Sequence, residues 1–125
     1  MPLIEIKALP PRSASDVSTT LKNAAWELAK VLGVPPEKVR AVWVNLEPGH
    51  YAEGADAPKQ AQLGSHPPIV HITCFEGRSP DVIEKAIRCV ADNVCRDLAL
   101  SPGNAFVVYH EAKKGTLFAS GDMKK

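Results

Sequence analysis

The chain has 125 residues, 45% of them hydrophobic and 23% charged, enough for one domain with a core of its own and no disulfide or metal staple. Fifteen basic and fourteen acidic side chains leave a net charge of +1, so no global field draws it to nucleic acid, a membrane surface or an acidic polymer, and any attraction for an anion has to be local. Aromatic content is 6% and the Arg and Lys residues are dispersed, which leaves no nucleic-acid footprint. No run of about 18 apolar residues occurs, and the start, MPLIEIKALPP, lacks the cationic and apolar regions of a signal peptide, so the expected location is the cytoplasm, without a membrane partner. Cys74, Cys89 and Cys95 are odd in number and lie in apolar segments, as reduced core thiols do.

Leu3 to Ala8 alternate apolar and charged residues, the period of a half-buried strand, and Pro10-Pro11 end it. From Ser13, apolar residues at Val17, Leu21, Ala24, Leu28, Val31 and Leu32 form one helical face, with Ser13 or Ser15 as N-cap and Gly33 as the stop. Val39 to Leu46 is β-branched and aromatic, so it reads as a second strand, followed by a turn at Pro48-Gly49. Tyr51 to Pro67 has no periodicity and reads as a long connection. Then the pattern restarts. Pro68 to Phe75 is a strand, and Ser79-Pro80 opens a helix with an apolar face of Ile83, Ile87, Val90, Val94 and Leu98. Ala105 to His110 is a fourth strand, and Thr116 to Ser120 a short edge strand. Trp26 and Trp43 read as core or interface residues.

The two halves match at a constant offset of 66 residues (68 − 2, from Pro2 and Pro68). The same shift pairs Ile6 with Ile72, Arg12-Ser13 with Arg78-Ser79, Ala25 with Ala91, Leu32 with Leu98, Pro36 with Pro102 and Gly49 with Gly115. Identities at strand starts, caps and turns are what a duplicated unit leaves behind. The expectation is a single α+β domain over 1–125 with pseudo-repeats 1–57 and 67–121. Two tandem β-α-β units would form a four-stranded sheet with both helices on one face. The other face then needs oligomerisation or a polar surface.

Pro2 carries the chemistry. With Met1 cleaved, the terminus is a secondary amine on a rigid ring at the start of a buried strand. An ordinary α-amino group titrates near 7.7–8.0, and burial with nearby cations lowers this, leaving a base at neutral pH. Arg12 follows the first strand, Arg40 lies on the second, and Arg78 is the second unit's counterpart of Arg12. Guanidiniums bind carboxylates bidentately and depress a neighbouring amine's pKa. Pro68 follows Pro67, so its nitrogen is an amide without basicity and a pocket around it would be catalytically dead. Arg12 belongs either to that vestigial pocket or to the live one.

Pro2, Arg12-Ser13, Val39-Arg40 and Gly49-His50-Tyr51 in order, then Glu76-Gly77-Arg78-Ser79 and Val107-Val108-Tyr109, resemble the 4-oxalocrotonate tautomerase superfamily over nearly the whole chain. The second half is similar to fused members such as the cis-3-chloroacrylic acid dehalogenases. The resemblance implies a tautomerase fold, like that of macrophage migration inhibitory factor, and a homotrimer. It implies a terminal proline that moves a proton between carbon and oxygen of a small α-keto acid or dienol carboxylate. Pro2 would be the catalytic residue, Arg78, Arg40 and Arg12 would hold the carboxylate and enolate oxygens, and Tyr51 or Tyr109 would wall the pocket. No metal or organic cofactor is implied.

Departures narrow the chemistry. Ala119 stands where fused dehalogenases carry a water-activating glutamate, Ala29 where they have a first-helix histidine, and Phe75 at the first position of their arginine pair. Lys38 is nearest to the aspartate of malonate semialdehyde decarboxylases, with Glu37 beside it as a conceivable substitute. A decarboxylase or dehalogenase-like enzyme, or a non-catalytic oligomeric member with Met1 retained, remains the alternative. His50, His66, His71 and His110 show no metal-ligand spacing.

Overall fold

A computed structural model of the chain describes residues 2–11, 14–57 and 66–125. Strands β1 (Leu3–Ala8), β2 (Arg40–Asn45), β3 (Ile69–Phe75) and β4 (Phe106–Ala112) form one sheet in the order β2-β1-β3-β4. β1 runs parallel to β2 and β3 parallel to β4, while the central pair β1 and β3 is antiparallel. Helix α1 (Ala14–Leu32) connects the first parallel pair and α2 (Pro80–Asp97) the second. This is the expected pair of β-α-β units. The last segment differs from expectation: β5 (Leu117–Ala119) does not join the main sheet but pairs with β6 (Asp122–Lys124) in a separate hairpin. Ser120 and Gly121 both have positive φ at its turn, the backbone that a two-residue hairpin loop of matching twist requires.

Period-two alternation assigns the faces. Ile4, Ile6 and Ala8 of β1 and Val70, Ile72 and Cys74 of β3 are buried in one cluster with Ala24, Leu28 and Ala29 of α1 and Ala86, Val90 and Val94 of α2. Both helices therefore cover the same face, and truncating one of these large side chains to Ala would cost about 2–5 kcal/mol. The opposite face carries Leu3, Glu5 and Lys7, then His71 and Thr73, and on the outer strands Val42, Val44 and Phe106, each of the last three more than 40% exposed. Trp43 packs against the core and donates from Nε1 to Asn45 Oδ1 at 2.7 Å. Trp26, expected in a core or interface, stands exposed on α1. Cys74 and Cys95 are buried, Cys89 is half-buried, and all three are free. Among the described residues no helix is long and apolar enough to cross a membrane.

The 66-residue offset recurs in the hydrogen bonding. Arg40 N donates to Pro2 O at 3.0 Å, and Phe106 N donates to Pro68 O at 2.9 Å. At the helix ends Val34 N donates to Ala29 O and Leu100 N to Cys95 O, the long bond of a Schellman stop. Such a stop needs a left-handed residue just before its donor. In α1 that residue is Gly33, at φ +68°, but in α2 it is Ala99, at φ +55°. A Cβ in that conformation meets its own backbone, which glycine avoids. Ala99→Gly should therefore raise stability by about 0.5–1 kcal/mol, the relieved strain exceeding glycine's larger unfolded-state entropy. The urea midpoint of the variant against wild type measures this, and Gly33→Ala should move it the opposite way.

Candidate active site

Pro2 is fully buried at the start of β1. Continuing the antiparallel register one step beyond Leu3↔Thr73 brings it level with Cys74, whose buried side chain shares the helix-covered face. Tyr109 on β4 pairs with Ile72 and packs against the same core. Its hydroxyl is buried and makes no hydrogen bond of good geometry among the described residues; Cys74 and Arg78 are the polar groups that act on it. Burial pushes the Tyr109 phenol well above its ordinary range, Cys74 adds to this, and Arg78 works against it.

The loop after β3 explains where Arg78 sits. Glu76 N donates to Ala112 O at 3.0 Å, and the Glu76 carboxylate accepts from Lys114 N at 2.9 Å, so one residue ties the ends of β3 and β4 together. Gly77, at φ +116°, turns the chain in a conformation closed to other residues. Arg78 then folds back, with Nη1 donating to Phe75 O at 3.2 Å. Ser79 caps α2, its Oγ accepting from Val82 N at 3.3 Å. The guanidinium and the positive end of the α2 dipole thus lie at the end of the sheet where Pro2 begins.

Arg40 is at this end too, but on the other face. Its amide binds Pro2 O, while Ala41 and Trp43 turn toward the core, so its exposed side chain points away from Pro2. Tyr51 is at the far end, where β2 finishes and Lys7 pairs with Ile69. There its hydroxyl donates to Glu53 Oε2 at 3.2 Å and its ring meets His66 edge-on; burial, then Glu53, pushes its phenol up. His66 Nε2 lies 2.9 Å from Asp56 Oδ2. Arg12 lies outside the described residues. One chain therefore gathers Pro2, Arg78 and Tyr109, and does not gather Arg40 or Tyr51 with them.

Two further residues stand at this end that the sequence did not single out for the site. Cys74 is one. Glu111 is the other: it pairs with Cys74 and alternates with Tyr109, which puts its carboxylate in the row begun by Pro2. The spacing Val107, Tyr109, Glu111 was the available signal. Glu37 sits in a 3-10 turn (Pro36–Lys38) just before β2, also at the Pro2 end.

No family model matches the sequence, and neither does any of the curated proteins compared with it. Solved structures do. A fused 4-OT in an asymmetric trimer superposes with a TM-score of 0.87 at 13% identity, covering 98% of this chain and 95% of that one. The fold is the tautomerase fold. Pt0534 inactivated by 2-oxo-3-pentynoate is similar at TM-score 0.86 and 16% identity, over 98% and 94% of the two chains. FG41 malonate semialdehyde decarboxylase inhibited by 3-bromopropiolate follows at TM-score 0.74 and 17% identity, over 96% and 91%. The β1–β3 pairing that sets Pro2 against Cys74 thus belongs to a tautomerase fold spanning nearly the whole chain.

The environment of Tyr109 has a measurable consequence. A group whose folded pKa lies above its unfolded value contributes stability that is complete below the unfolded pKa and lost as pH rises past it. For tyrosine this loss begins near pH 10. Wild type should therefore lose stability more steeply than Tyr109→Phe between about pH 9.5 and 11, read from urea midpoints across that window.

Proposed function

We propose that the protein is a cofactor-independent tautomerase whose base is the amine of Pro2 after removal of Met1. The observation that carries this reading is the burial of Pro2 at the one end of the sheet to which Arg78 and Tyr109 are also brought. Burial disfavours the protonated amine, and the Arg78 cation disfavours it further, so the nitrogen is free to take a proton at neutral pH. Arg78 would bind the carboxylate of a small α-keto acid or dienol carboxylate. The Tyr109 phenol, held protonated by burial, would donate to the developing enolate oxygen. Pro2 would remove the proton from one atom and return it to the other, which balances without a co-reactant. The inactivator and inhibitor named for two similar structures, 2-oxo-3-pentynoate and 3-bromopropiolate, are both small carboxylates, which supports this substrate class.

The assay is ketonisation of an enol such as phenylenolpyruvate by protein whose intact mass shows Met1 absent. Pro2→Ala should lower kcat/KM by about 10²- to 10⁴-fold, the usual worth of a positioned acid–base group. A chain with one uncleaved residue ahead of Pro2 should be equally impaired, because its nitrogen is an amide. Arg78→Ala should mainly raise KM. Equal rates for wild type and both Pro2 changes would overturn the assignment.

The open face supports a homotrimer. Val42 and Val44 are exposed on β2 and Phe106 on β4, at the two edges of this face, and the similar fused 4-OT structures are trimers. Arg40 shares that face and would serve a neighbouring protomer's site rather than its own. In solution, light scattering should return the mass of three chains for wild type and of one for Val44→Glu. A wild-type monomer would remove both the trimer and the role given to Arg40.

A second reading rests on Glu111. A carboxylate in the row of Pro2 could activate water, as hydration or dehalogenation requires. Loss of such an activity in Glu111→Gln, with ketonisation retained, would separate the two.

A further inference from the structure

We propose that His71 and His110 form a binding site for a divalent first-row transition metal on the open face of the sheet. The two residues stand 39 positions apart, on the parallel strands β3 and β4, where His71 pairs with Val108 and Thr73 with His110. That offset sets the imidazoles diagonally on one face. His71 Nδ1 and His110 Nε2 are 2.7 Å apart. The ring planes differ by 7° while the centroids are 5.0 Å apart. Nitrogens so close on rings so far apart mean that the rings lie nearly in one plane and meet nitrogen to nitrogen, not face over face.

Two imidazole lone pairs therefore converge on one point, and only one proton fits between them. A metal ion can take that proton's place. The donor ring moves its proton to its outer nitrogen, so the neutral pair becomes a two-nitrogen ligand with no net proton loss. Metal–nitrogen bonds of about 2.0–2.1 Å at a tetrahedral angle require the nitrogens to open to roughly 3.3 Å and the rings to turn their lone pairs from each other toward the ion, a movement open to the exposed His110. Among the described residues no third His, Cys, Asp or Glu joins the pair, so water would complete the coordination of the ion. Imidazole suits zinc, copper or nickel rather than magnesium or calcium, which prefer oxygen ligands. Pro2 and Tyr109 lie on the opposite face, so this site does not depend on the proline base; it lies on the face that the proposed homotrimer would cover, so binding is measured on the assembly as it exists in solution.

Tag-free, chelator-stripped protein titrated calorimetrically with Cu²⁺, Ni²⁺ and Zn²⁺ tests the site. One ion per chain is expected, with Cu²⁺ bound most tightly. His71→Ala and His110→Ala should each weaken binding by more than about 10-fold, the lower end of what losing even a supporting partner costs. His50→Ala and His66→Ala should bind as wild type does. Zn²⁺ should also raise the thermal midpoint of wild type and not that of His110→Ala, which alters only an exposed side chain. Equal affinity in wild type and His110→Ala, or loss of the bound ion on changing His50 or His66, would overturn the proposal.

Discussion

The antiparallel pairing of β1 with β3 is the constraint on which the rest of the molecule depends. It joins two parallel β-α-β units back to back, so each end of the sheet receives the start of one central strand and the finish of the other. Pro2 therefore meets the loop that follows β3, not the one that follows its own strand. That is why Arg78, from the second half of the chain, lies at the Pro2 end. Lys7 pairs with Ile69 at the other end, so the segments at Pro68 and at the finish of β1 adjoin there.

The two ends are alike in backbone and unlike in chemistry. Matching hydrogen bonds hold Pro2 to Arg40 and Pro68 to Phe106, but Pro67 acylates the nitrogen of Pro68 and denies it any basicity. Around Pro2 stand Cys74, Tyr109, Arg78 and, along the row, Glu111. Around the other end the polar groups pair among themselves, Tyr51 with Glu53 and His66 with Asp56. Each end also buries one polar atom without a partner among the described residues, the Tyr109 hydroxyl at the Pro2 end and Asn104 Nδ2 just before β4 at the other, so the difference between the ends lies in which groups are present.

The alternation of each strand divides labour between the faces. The helix-covered face holds the core and, at its end, the candidate site. The open face holds Arg40, the exposed valines and the His71–His110 pair. Because a strand turns successive residues to opposite sides, neighbours in sequence such as Tyr109 and His110 have entirely separate surroundings.

Strands, helices, their order and the internal repeat were legible in the sequence because periodicity and caps are local properties. So was the place of Pro2 at the head of the first strand, because the alternation that follows it is local too. The sequence could not say on which side of the sheet Arg40 projects relative to Pro2, because Val39-Arg40 reads the same in either register. Nor could it join His71 to His110, or Pro2 to Cys74 and Glu111. Those neighbours are made by strand pairing between residues far apart in the chain, and such pairing is decided only when the two units close on a shared core.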